Sequence, residues 1–110
     1  MKKTILAAAL LSSISLAYAA EDHTMGRDAS GGYEQAMESM NKKMDAMKPS
    51  GDPDAHFAMM MSIHHQAAIE MAQTYVASGK DPKLKAMAEK MIADQKREIS
   101  ELKMWSTEKN

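Results

Sequence analysis

The chain has 110 residues, with 14 basic and 15 acidic side chains and a formal net charge of −1. This length suits one small domain and not two. The nearly balanced charge gives no reason to expect a nucleic acid or an anionic membrane as partner. The absence of cysteine excludes disulfides and thiolate metal sites. Histidine, carboxylate and the 13 methionines remain as the strong metal ligands.

The first 19 residues have the pattern of a secretory signal peptide. Lys2 and Lys3 precede a short apolar run, and a small-residue motif with Ala17 and Ala19 predicts cleavage after Ala19. The apolar run is too short for a transmembrane helix. We therefore expect an exported protein whose mature form has no membrane segment. Since the leader holds two of the 14 basic residues and none of the 15 acidic ones, the mature chain has a formal charge of −3.

Residues 20–31 show no hydrophobic periodicity and contain two glycines, which predicts a flexible N-terminal arm. A helical metal-binding domain is expected over 32–110. Its first helix is predicted over about 34–48 and ends before Pro49. One face of this helix carries a methionine stripe that fits either a packed core or a row of metal ligands: Met37, Met40, Met44 and Met47.

The two later helices have clear start signals. An aspartate that caps the helix is followed by proline at the first helical position, at residues 52–53 and again at 81–82. The second helix is predicted over 53–78, with Gly79 as the left-handed residue after its end. The third is predicted over 82–108. Short connections between long helices predict an all-α, up-down-up antiparallel bundle.

The second predicted helix holds three of the four histidines. At about 100° per residue, its histidines and methionines fall on two neighbouring stripes. These stripes supply the following candidate metal ligands: Met60, His64 and Met71 with His56 at their edge, and Met61 with His65. Thioether sulfur and imidazole nitrogen both bind Cu(I), so copper explains the pattern best. The opposite side of the helix is polar and is expected to face solvent: Ser62, Gln66, Glu70 and Gln73.

Inert packing of histidine and methionine in a core is the alternative to a metal site. Two adjacent histidines point about 100° apart, so both would need buried partners in a packed core, and this favours metal binding. An enzyme is not predicted, because the sequence has no phosphate loop, no nucleophile motif and no His-Glu-x-x-His motif. Zinc would give no reason for the methionines.

Two sequence blocks carry a resemblance to a known family. They are His-His-Gln at 64–66 and Gln-x-x-Glu-Ile at 95–99, and the likeness extends over 53–105. The chain resembles the CopM-type family of exported, ferritin-like helical domains, which was formerly a domain of unknown function. The resemblance implies a ferritin-like four-helix bundle in the periplasm that binds copper and contributes to copper or silver resistance.

The resemblance also implies roles for particular residues. It supports Met61, His64, His65 and Met71 as ligands. Gln95 and Glu98 would face them from the third helix and orient a ring N–H. Apart from the resemblance, we expect Met91 to belong to the same facing wall. The chain departs from the family pattern at position 102, where family members often have methionine and this chain has leucine. Met104 lies two residues further along.

The resulting hypothesis is a non-enzymatic periplasmic protein that binds Cu(I), with Cu(II) or Ag(I) as alternative ions. It would sequester the ion or exchange it with a copper-exporting or copper-accepting protein. A homodimer that completes the bundle is a further expectation, although no residue fixes its symmetry. The rival hypothesis is a metal-independent helical chaperone whose methionine-rich face adapts to apolar clients.

Overall fold

The computed structural model describes residues 24–48 and 50–109. These residues form three α-helices and no strand: α1 (Thr24–Ala46), α2 (Pro53–Ser78) and α3 (Pro82–Glu108). The predicted all-α fold is confirmed, and so are the predicted bounds of the second and third helices. The predicted signal peptide and its cleavage site lie outside the described residues. None of the three described helices is apolar enough over a sufficient length to cross a membrane.

The start of α1 differs from the prediction. The helix begins at Thr24, ten residues before the expected start, so residues 24–31 of the expected flexible arm are helical. Glycine disfavours a helix interior by about 1 kcal/mol relative to alanine. Packing against α2 opposes that cost, because Ala36 is 1% exposed and a side chain at Gly32 would collide with Thr74.

The capping aspartates have the expected geometry. The side chain of Asp52 accepts a hydrogen bond from the N–H of Asp54 at 3.1 Å, and that of Asp81 accepts one from the N–H of Leu84 at 2.8 Å. Each satisfies one of the N–H groups that a helix start leaves unpaired. The two aspartates therefore fix where α2 and α3 begin.

Gly79 ends α2 in a way that the sequence does not predict. Its φ is −70° and its ψ is 153°, which is extended and not left-handed backbone. The N–H of Gly79 donates to the carbonyl oxygen of Tyr75 at 2.6 Å. An added Cβ would lie 2.5 Å from the ring of Tyr75, so this position needs glycine for its lack of a side chain.

The helix α2 lies between the other two helices. It packs against both, whereas α1 and α3 do not pack against each other. Thr74 of α2 faces Gly32 of α1, and His65 of α2 contacts Glu98 of α3. Thr74 follows His65 by nine residues, which is about 180° around the helix. The described residues therefore form a single layer of three helices, and they do not form the expected four-helix bundle.

The helices run antiparallel to their neighbours. Phe57, near the start of α2, shares a cavity with Trp105 near the end of α3, and Tyr75, near the end of α2, shares another with Leu84 near the start of α3. The predicted up-down order of α2 and α3 is confirmed by these contacts. The connection between α1 and α2, which ends before Pro53, is also short, so these two helices are antiparallel as well.

Small side chains fill the contacts between the helices. The buried apolar residues are five alanines and one isoleucine: Ala36, Ala58, Ala67, Ala72, Ala88 and Ile69. The methionine stripe of α1 is not a buried core, since Met37 is 43% exposed. Alanine lets the helix axes approach each other closely. Its side chain is too small to cover the two faces of the layer.

One side of α2 was expected to face solvent and instead packs partly against α1. Glu70 and Gln73 line a cleft with Gln35 and Ala36 of α1. The expectation that this side faces solvent was wrong because a polar stripe on one helix does not reveal whether a second polar helix face packs against it. The surface of α2 is exposed to solvent mainly on the two faces of the layer, which lie between the side of α2 that contacts α1 and the side that contacts α3.

These two faces differ in chemistry. The first, which we name the open face, carries the half-buried Met71 and exposed apolar side chains from all three helices: Met37, Phe57, Leu84, Met87 and Met91. Around α2, the opposite face holds Ser62, Gln66 and Gln73 with a single exposed methionine, Met59. The layer is therefore apolar on one side and mostly polar on the other.

Gly31 offers a test of where α1 begins. A Cβ at Gly31 would meet no atom within 4 Å. Because alanine is the better helix former, Gly31→Ala is expected to raise the free energy of unfolding by about 0.5–1 kcal/mol. Chemical denaturation followed by far-ultraviolet circular dichroism would measure the change, and no gain would place the helix start after residue 31.

Gly32→Ala is the matched control for this substitution. A Cβ there would lie 2.7 Å from the side chain of Thr74. That hydroxyl donates to the carbonyl oxygen of Glu70 at 3.0 Å and would have to move. We therefore expect Gly32→Ala to be less favourable than Gly31→Ala, although both remove a glycine from the same helix.

Candidate metal centre

His65 is the best positioned of the candidate ligands. Its Nε2 atom donates a hydrogen bond to Oε2 of Glu98 on α3, at 2.5 Å. The His65 side chain is 19% exposed and that of Glu98 45% exposed. An imidazole that donates one ring N–H to a carboxylate is held in one orientation, and its other nitrogen, Nδ1, then carries the lone pair that a metal needs.

Met61 lies one helical turn before His65 and lines the same cavity. Residues four apart on a helix place their side chains next to each other. The cavity has a volume of about 420 Å³ and is lined by Phe57, Met61, His65, Glu98, Glu101, Leu102 and Trp105. We name it the His65 cavity. It brings a thioether, an imidazole and carboxylates together between apolar and aromatic walls.

His64 does not join this cavity. Its side chain is exposed, and as the neighbour of His65 in sequence it points about 100° away from it around the helix. The structure thus separates the two histidines that the sequence places side by side. His64 reaches solvent at the open face.

Met71 and Met91 line a second cavity, which we name the methionine cavity. It has a volume of about 320 Å³ and is lined by Tyr33, Ala68, Met71, Ala72, Tyr75, Leu84, Met87, Ala88 and Met91. Met87 was not among the predicted ligands, although it stands four residues before Met91 and this spacing was visible in the sequence. The cavity contains three thioethers and no imidazole.

His56 and Met60 line neither cavity. At about 100° per residue they lie on the side of α2 opposite His65, which is the side of α1. The Nδ1 atom of His56 is buried and has no hydrogen-bond partner among the described residues. The structure therefore does not bring these two candidates to the other ligands.

Gln95 and Glu98 take different positions although the sequence gives them the same role. Glu98 holds the ring of His65. The side-chain oxygen of Gln95 is buried without a hydrogen-bond partner in the described part of the chain. A buried amide oxygen in that state destabilises a fold by about 1–3 kcal/mol. Only Glu98 orients a histidine here.

Two carboxylates on the outer surface have lowered pKa values. A hydrogen bond from Lys42, together with its charge, lowers the pKa of Glu38. Hydrogen bonds from Lys90 and Arg97 likewise lower the pKa of Asp94. Neither carboxylate lines the His65 cavity, so these ion pairs belong to the solvated surface.

The donor set of the site is suited to a soft ion. Within the described ranges, no three histidine, aspartate or glutamate side chains are grouped closely enough to hold a metal ion. Zinc in proteins is usually held by four such ligands or by cysteine. Cu(I) and Ag(I) differ because they accept thioether sulfur, which Met61 offers beside His65.

Comparison with protein families gives a match. A protein-family model described as a domain of unknown function, DUF305, matches residues 6–106. No curated protein matches the chain. The family match covers α1, α2, both cavities and α3 as far as residue 106, and its description names no activity.

Proposed function

The chain belongs to the DUF305 family of domains of unknown function, and we propose that this protein binds Cu(I) in the His65 cavity. One observation carries the proposal: Met61 and His65 line one cavity, and Glu98 holds the imidazole so that Nδ1 is free to bind. A hydrogen bond from a histidine ring N–H to a carboxylate is the arrangement that metal-binding histidines usually have.

The chemistry of the cavity favours Cu(I) over other ions. Thioether and imidazole ligands suit a soft monovalent ion, and Ag(I) shares this preference. Divalent copper favours a square set of nitrogen and oxygen ligands, and the His65 cavity contains only one histidine. The resemblance to the CopM-type family, which we retain as part of this proposal, points to the same metal.

The proposed activity is sequestration and not catalysis. An exported Cu(I) binder would lower the free copper concentration in the periplasm and exchange the ion with a copper-exporting or copper-accepting protein. Because an imidazole must lose its proton to bind a metal whereas a thioether has none to lose, acidification should weaken the binding without abolishing it. The ion is the cargo of the protein in this proposal.

The proposal predicts a metal-dependent gain in stability. A ligand that binds only the folded state adds about 2.7 kcal/mol when its free concentration is 100 times its Kd. For a domain of this size, that corresponds to a rise in Tm of roughly 10–20 °C. Anaerobic thermal denaturation with Cu(I), monitored by circular dichroism, would measure the shift, and native mass spectrometry would count the bound ions.

Two controls make the thermal experiment specific. Zn²⁺ should leave the Tm unchanged, since the described residues offer no group of three suitable ligands. A Cu(I) chelator in excess should reverse the shift. A Tm that does not respond to Cu(I) would reject the proposal.

The exposed methionines favour a second candidate function, a chaperone or interaction module. The open face presents Met37, Met87 and Met91, each between 43% and 49% exposed. Methionine is flexible enough to adapt to different apolar partners. A chaperone would protect an aggregating client equally well with and without copper, so one light-scattering assay with both conditions separates the two functions.

The ferritin-like fold also remains a proposal. The described residues contribute three helices in a single layer. We propose that the helices of a second copy of the chain complete the bundle.

A further inference from the structure

We propose that the open face is the interface of a homodimer. This inference does not depend on copper binding, because it rests on the packing of the helices alone. Small proteins gain stability when two layers of secondary structure enclose an apolar core. The described residues form one layer, and their buried core contains a single side chain larger than alanine, Ile69.

Five of the seven large apolar side chains that are exposed in the described residues lie on the open face, and Met59 and Met104 do not. Phe57 is 56% exposed, Leu84 50% and Met91 49%, and Met37 and Met87 add to the same surface. Single exposed apolar residues are common on proteins, but an apolar patch that extends over three helices usually marks an interaction site. On the opposite face, Met59 is the single exposed methionine among polar neighbours.

The area of the open face is that of a stable dimer interface. Helices in contact lie about 8–10 Å apart, so three of them make a layer roughly 25–30 Å wide. An overlap of about 20 residues at 1.5 Å per residue gives a length of roughly 30 Å. The product, about 800 Å², equals what one partner contributes to a standard interface.

A second copy of the chain is the occupant that this face fits. Two identical layers stacked on their open faces would enclose one core, and both would bury the same residues, as in an isologous interface. Methionine side chains are flexible and can adopt different rotamers at the contact. The open faces of two copies can therefore pack against each other without a precise match of shape.

The experiment is sedimentation velocity on the metal-free protein, with a metal chelator present, from low to high micromolar concentration. The wild type is expected to sediment as a dimer. Met87→Glu places a carboxylate in the interface of both copies at once, and is expected to raise the dimer dissociation constant at least about 100-fold. Leu84→Lys is expected to act in the same way, so the result does not depend on one variant.

Met59→Glu is the matched control. Met59 and Met87 are similarly exposed, 43% and 46%, and both lie on helices of the same layer. The control is expected to remain dimeric with an unchanged dissociation constant, and circular dichroism should give the same helix content for all variants.

Three outcomes would overturn the proposal. A monomeric wild type over the whole concentration range would mean that the face is bare or is covered by another molecule. A dimer that survives both Met87→Glu and Leu84→Lys would place the interface elsewhere. An equal loss of dimer in Met59→Glu would do the same.

Discussion

His65→Ala is expected to lower the affinity of the protein for Cu(I) by about 100-fold or more. His65 supplies the nitrogen ligand of the proposed site, and even the loss of a residue that only orients a ligand costs about 10–100-fold in metal affinity. The measurement is an anaerobic competition titration with a chromogenic Cu(I) chelator, which reports the Kd directly.

His64→Ala is the control, because it removes the same side chain from the next position of the same helix. His64 is exposed and does not line the His65 cavity, so its loss is expected to change the Kd less than about threefold. Glu98→Ala should fall between the two, at about 10–100-fold, since it leaves the imidazole without the carboxylate that orients it. Equal losses for His64→Ala and His65→Ala would contradict the assignment of the site to this cavity.

Ala88→Leu is expected to lower the free energy of unfolding by about 1–3 kcal/mol, because it places a larger side chain where α2 and α3 approach each other through small residues. Ala88 lies on α3, is 6% exposed and lines the methionine cavity with Ala72 of α2. For a domain of this size the Tm should fall by roughly 4–8 °C per kcal/mol. Urea denaturation followed by circular dichroism would measure the loss.

Ala86→Leu is the matched control for this substitution. Ala86 stands two residues earlier on the same helix and is exposed. The same chemical change there is expected to alter stability by less than about 0.5 kcal/mol. If both variants lost the same stability, the alanine contacts between α2 and α3 would not be what stabilises the fold.

The sequence predicts α2 and α3 well because their ends are determined locally. A capping aspartate and a proline act on the N–H groups of the next turn, so they mark a helix start without knowledge of the rest of the fold. The start of α1 has no such signal. Its glycines disfavour a helix locally, and the contact between Gly32 and Thr74 that favours one joins residues 42 positions apart.

The candidate site is predicted less completely, for a physical reason. A helical projection gives the angle between two side chains on one helix but not the direction from which a second helix approaches. Met61 and His65 come together with Glu98 because α3 packs against their side of α2. His64 and His56 are equally attractive in sequence, but they point to solvent and to the α1 side.

The central position of α2 makes the protein modular. The residues that line the His65 cavity all belong to α2 and α3, and α1 packs on the far side of α2. Detachment of α1 would therefore be a partial opening that leaves the helical hairpin of α2 and α3 in place, with its proposed ligands still aligned. The ligands of the His65 cavity can therefore vary independently of α1, whereas the methionine cavity includes Tyr33 of α1.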